Sequence, residues 1–153
     1  MDLEKTVALL QEKNATVACG AWEALLRKSK EGQEVYAYFD RFAALLESKS
    51  AYERVRGFGL IAENARWDKE NRIKGILDRI LAQITDPKPI AARQCIQRLP
   101  QIAQEKPALA GQIREALTGA DTGGYRESMR LLVQRDIDAA LAQIGKAAAP
   151  QTE

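Results

Sequence analysis

Residues 72–104 read RIKGILDRILAQITDPKPIAARQCIQRLPQIAQ, from Arg72 to Gln104. Ile73, Ile76, Leu77, Ile80, Leu81 and Ile84 fall at i, i+3, i+4, i+7, i+8 and i+11, the apolar stripe of a helix with 3.6 residues per turn. Lys74, Asp78, Arg79 and Gln83 take the opposite face, so one side of this helix is built for water. The run Thr85-Asp86-Pro87-Lys88-Pro89 ends it, because proline lacks a donor and pushes its predecessor out of the helical region. A second helix follows, with Ala92, Cys95, Ile96, Leu99 and Ile102 on its apolar side. Pro100 lies inside it and predicts a kink or an early end. Two such helices cannot bury both stripes on each other. They need neighbours.

The neighbours are near-copies. The pairs Val55-Arg56, Ala92-Arg93 and Met129-Arg130 recur every 37 residues (55, 92, 129). The preceding helices keep the same register through Tyr36, Ile73 and Ala110, then Phe39, Ile76 and Ile113, then Ala43, Ile80 and Leu117. One helix pair per period of this size is the mark of an α-solenoid. Working outward, the units fall at about 3–28, 33–66, 71–104 and 108–144, with 145–153 (GKAAAPQTE) as a flexible tail. In the first unit Leu3, Val7 and Leu10 form one stripe, Asn14 caps, and Val17, Ala21, Ala24 and Leu25 form the next. The second buries Tyr36, Phe39, Ala43 and Leu46 against Val55, Phe58, Gly59 and Ala62. Gly57 and Gly59 inside that helix point to close helix approach or to a flat place for a ligand. The fourth opens at Pro107, carries Ala110, Ile113, Ala116 and Leu117, stops at Gly119, and resumes through Met129, Leu132, Val133 and Ile137.

An apolar helix, then Asp-Pro, then a small residue followed by Arg opening the second helix resembles the HEAT repeat. Asp86-Pro87 with Ala92-Arg93 carries the match. Ser48-Lys49-Ser50 stands in place of Asp-Pro before Val55-Arg56, and Asp121-Thr122-Gly123-Gly124 before Met129-Arg130. The resemblance implies an all-α, HEAT/ARM-like superhelix of about four helix pairs whose second helices line a concave surface. The stretches RGFGLIAENARWDKEN, DPKPIAARQCIQRLPQI and YRESMRLLVQRDI also resemble a group of small bacterial HEAT-like proteins, some carrying a label that links them to the SufBD iron–sulfur assembly proteins. That assembly scaffold is a β-helix, so for a helical chain without a cluster ligand set the label implies at most an accessory role.

Composition narrows the chemistry. A length of 153 residues suits one domain, and 46% apolar with 29% charged content is ordinary for a globular chain. A formal net charge of +2, from 23 basic and 21 acidic residues, argues against bulk nucleic acid or an anionic membrane as the main partner. No run of about 18 apolar residues predicts a transmembrane helix. MDLEKTVALL begins acidic, without the basic leader of a secretion signal, so a cytoplasmic location is expected. Cys19 and Cys95 are expected as reduced core residues. Histidine is absent from the chain, which removes histidine bases, Ser-His-Asp and Cys-His arrangements and His-containing zinc sites. Two cysteines cannot supply four thiolates, and no phosphate-binding glycine loop is present. No enzyme activity, metal or cofactor is expected.

Three features carry candidate sites. Arg56, Arg93 and Arg130 form an arginine ladder that either binds carboxylates and carbonyls of adjacent repeats or serves as a track for phosphate or an acidic peptide. At the junction between repeats, Asp68 suits the start of the next helix and Trp67 can staple it. The same Trp-Asp pair resembles the aromatic and acidic residues that HEAT-like DNA glycosylases bring to a lesion. Gln94, Gln97, Arg98 and Gln101, with Gly57, Ile61 and Asn64 beside them, form the candidate concave binding face, Ile61 being the expected exposed apolar anchor. The expected function is a non-catalytic protein–protein interaction module that takes a helix or an extended peptide. The alternative is a nucleic-acid-binding protein related to DNA alkylation-repair glycosylases, and a third possibility is self-association.

Overall fold

Asp2 opens the first helix by accepting the Lys5 amide at 3.2 Å, which satisfies one of the donors that a helix start leaves free. The computed structural model describes residues 1–148, and the regular structure among them is helical throughout. α1 (Leu3–Ala8) tightens into a 3-10 turn at Leu9–Gln11, and α2 spans Ala15–Glu31. A 3-10 turn at Val35–Tyr38 leads into α3 (Phe39–Leu45), and α4 (Ala51–Glu63) runs into another at Asn64–Trp67. α5 (Arg72–Gly75) and α6 (Leu77–Ala82) follow, closed by a 3-10 turn at Gln83–Thr85. α7 covers Pro89–Glu105, a turn at Pro107–Leu109 introduces α8 (Ala110–Thr118), and α9 covers Glu127–Ala148. None of these helices is long and apolar enough to cross a membrane.

The chain forms two compact units, Met1–Gly75 and the part from Ile76 onward. In the first, α2 and α3 pack on α4, and α1 packs on α2. Leu10, Leu25, Phe42, Phe58 and Leu60 are fully buried there. The approach of α3 to α4 depends on Gly57: a Cβ at that position would meet the Phe42 carbonyl oxygen at 2.7 Å and Leu45 Cβ at 2.8 Å. Close approach is therefore the reason for a glycine inside this helix. In the second unit α9 packs on α7 and α8, and α7 also seats the turn after α6. Ile80, Ile96, Leu99, Ile102, Ile113 and Val133 fill that core.

The 37-residue register lands on interior positions. Ala43, Ile80 and Leu117 are all buried, as are Tyr36 and Ile73, with Ala110 half-buried. Asn14 caps α2 by accepting the Val17 amide at 3.2 Å. Asp86 accepts the Lys88 amide at 2.9 Å, and Pro89 occupies the first turn of α7, where its missing donor is harmless.

Four local expectations change. The stripe from Ile73 to Ile84 is not one helix but breaks at Ile76 (φ −119°, ψ 19°). Comparable breaks precede α3 at Tyr38 (φ −98°, ψ 15°) and α8 at Leu109 (φ −96°, ψ −6°). Asp68 fixes the amides of Arg72 and Ile73, and Gly75 supplies a weak helix former directly before the break. Pro100 does not end α7, which continues to Glu105. Val17 (40% exposed) and Cys19 lie outside the buried stripe of α2, formed by Ala18, Ala21, Leu25 and Ser29; only Cys95 is a core cysteine. Finally, α9 extends through Gly145 to Ala148, residues expected in the tail. The remainder of that expected tail, 149–153, lies outside the described residues.

Candidate functional site

α7 buries Ala92, Cys95, Ile96, Leu99 and Ile102, and the face directly opposite is free. Gln94 and Gln97 are exposed there, while Arg98 and Gln101 are half-buried and engaged with neighbouring groups. Four of the candidate face residues thus share one surface. Ile90, 64% exposed, stands one turn before Gln94 on the same line. With exposed Gln104 the row reads 90, 94, 97, 101, 104, alternating steps of four and three that keep side chains along one edge of a helix. Ile90 is the exposed apolar anchor that sequence reading placed at Ile61, and the four-three spacing was the signal available to find it.

The other three members of the candidate face are not surface residues. Ile61 and Asn64 are 0% exposed, and Gly57 sits against Phe42 and Leu45. Every residue from Val55 to Ala65 is buried, so α4 has no outward polar face over this span. Asn64 Nδ2 donates to Ser29 Oγ at 3.0 Å and to the Leu60 carbonyl at 2.8 Å. Its Oδ1 accepts from no described group.

The arginine ladder divides into three environments. Arg56 is 6% exposed, donates to the Leu10 carbonyl at 2.9 Å and lies 5.9 Å from the centre of the Tyr52 ring. Arg93 donates through Nε to Asp136 Oδ2 at 2.6 Å. Both bonds reach a neighbouring helix pair, as a packing role requires. Arg130 is exposed, and its guanidinium has no partner among the described residues. Tyr125 supplies a further link between pairs by donating to the Asp86 carbonyl at 2.5 Å.

Trp67 and Asp68 are committed to the interior of the first unit. Trp67 Nε1 donates to the Ser29 carbonyl at 2.7 Å. Asp68, 2% exposed, accepts the Tyr36 hydroxyl at 2.6 Å, the Arg72 amide at 2.8 Å and the Ile73 amide at 3.1 Å. The Arg72 guanidinium lies 5.3 Å from the centre of the Tyr36 ring. Burial pushes the Tyr36 phenol pKa well above its ordinary value, and the bond to Asp68 adds to the shift. A carboxylate holding three donors at a helix start is an anchor for that start and has little capacity left to activate water.

Among the described residues no group of three or more Cys, Asp or Glu side chains is placed to hold a metal ion. The fold and this face define an all-helical protein of paired helices with a neutral, amide-rich outward row. The chain matches no protein-family model, no curated protein and no solved structure.

Proposed function

We propose that the chain is a non-catalytic protein-interaction module, an α-α superhelix of four HEAT-like helix pairs that presents the outward row of α7 to a protein or peptide partner. The observation that carries this is Ile90, 64% exposed, in line with the glutamines of α7. A large aliphatic side chain held in water beside amides that both donate and accept is suited to a partner with an apolar contact and backbone or amide groups. The recurring register of buried residues supports the repeat reading.

Arg56 and Arg93 have protein acceptors, which favours packing over an anion track. The internal commitments of Trp67 and Asp68 count against base excision, and the net charge of +2 counts against a nucleic-acid partner. The test is affinity capture of the tagged chain from its own cell lysate, with and without nuclease, beside a variant carrying Gln97→Ala, Arg98→Ala and Gln101→Ala. A protein partner that survives nuclease and is lost from the variant, whose helical content is unchanged, is the expected result. Retention by the variant removes the site. Capture of nucleic acid alone, lost on nuclease treatment, replaces the function.

A further inference from the structure

Gln112, Glu115, Ala116 and Gly119 stand at i, i+3, i+4 and i+7 on α8 and share one face. Together with Leu81 of α6 they line an open groove of about 430 Å³, a volume within the range of small-molecule sites. Leu81 and Ala116, both half-buried, make its floor apolar.

Its rim is electronegative for three separate reasons. The exposed Glu115 carboxylate has no partner among the described residues. α8 ends at this groove with no basic residue in its last turn, so the negative end of the helix dipole is left uncompensated. The Gly119 amide goes to the Glu115 carbonyl at 3.0 Å and the Ala120 amide to the Leu117 carbonyl at 3.5 Å. The Ala116 carbonyl between them accepts from no described amide. None of the lining residues is cationic. Arg114 falls about 200° round the helix from Gln112, on the far side of α8. Asp78, exposed one turn before Leu81, adds a second carboxylate on α6.

We propose that this groove binds a small alkylammonium ion. The hydrocarbon chain lies on Leu81 and Ala116. The ammonium sits at the end of α8, where the Glu115 carboxylate, the Ala116 carbonyl and the Gln112 amide oxygen accept its three donors. An open groove leaves the charge pair in a medium close to water, so the dissociation constant is on the order of millimolar. An anion is repelled by the same rim, and a neutral alcohol gains only the floor.

The test is an amide-resolved NMR titration of the full chain with pentylammonium chloride, beside 1-pentanol and sodium pentanoate at equal ionic strength. Saturable shifts at Gln112, Glu115, Ala116 and Gly119 are expected with the amine, weaker ones with the alcohol and none with the carboxylate. Glu115→Gln lowers the amine affinity about fivefold, the upper end for an exposed ion pair, and Gln112→Lys, which puts a cation in the groove, abolishes it. Both positions are exposed on a helix, so the remaining resonances stay in place. Absence of saturable shifts, an equal response to amine and alcohol, or an unchanged affinity in Glu115→Gln overturns the site.

Discussion

The Tyr36 hydroxyl donates to Asp68 Oδ1 at 2.6 Å, tying the turn that opens the second helix pair to the loop that closes it. The same carboxylate holds the Arg72 and Ile73 amides, so one buried side chain serves three donors from two segments. Asp68→Ala should lower stability by about 2–3 kcal/mol, combining a lost helix anchor with a stranded phenol. Urea unfolding followed by circular dichroism measures this. A loss within 0.5 kcal/mol, the usual range for a surface position, contradicts the anchoring role.

The raised pKa of Tyr36 gives stability a defined pH dependence. In the unfolded chain a tyrosine loses its proton near pH 10, whereas folded Tyr36 keeps it because burial and Asp68 disfavour the phenolate. Above about pH 10 the unfolded state therefore binds fewer protons than the folded one, and stability falls as pH rises. Below that pH the Tyr36 contribution is fully present and flat. The fall in urea midpoint from about pH 9 to about pH 11 should be shallower in Tyr36→Phe than in the parent chain. Equal slopes would place the titrating group elsewhere.

Gly57 sets two principles against each other. By helix propensity alone, Gly57→Ala should stabilise α4 by about 1 kcal/mol. The added Cβ, however, meets the Phe42 carbonyl oxygen at 2.7 Å and Leu45 Cβ at 2.8 Å, contacts that force backbone to move. Overpacking of this kind costs about 1–3 kcal/mol, so a net destabilisation is expected. A stabilised variant in the same urea assay would show that α3 and α4 are free to separate.

The two ends of the arginine ladder should respond oppositely to truncation. Arg56→Ala strands the Leu10 carbonyl in the interior and removes the contact with Tyr52, a loss of about 1–3 kcal/mol. Arg130→Ala, at an exposed side chain, should stay within about 0.5 kcal/mol. Equal effects in thermal unfolding would mean that the ladder works as a unit.

Pairing, register and stops were legible because they rest on local chemistry. Asp86 and Pro87 end a helix wherever they occur, and Asn14 caps whatever follows it. The candidate face was only half legible, and α4 explains why. Arg56, Glu63 and Asn64 punctuate that helix as a polar face would, yet all three are buried with their neighbours. Periodicity separates core from water only for a helix with one wet side. Ile61 therefore looked exposed, while Ile90, beside the prolines that start α7, looked like a loop residue. The breaks at Tyr38, Ile76 and Leu109 were hidden for a different reason. They leave the apolar spacing almost intact and show only in the backbone angles.

The central proposal is that the outward row of α7 receives a protein. A photocrosslinking amino acid placed at Gln97, and as a control at exposed Glu23 on α2, can be activated in living cells and the adducts identified by mass spectrometry. A discrete protein adduct from position 97, absent from position 23 and suppressed by Ile90→Asp, is the expected result. The same adducts from both positions, or none from position 97 while the control position gives one, would contradict it.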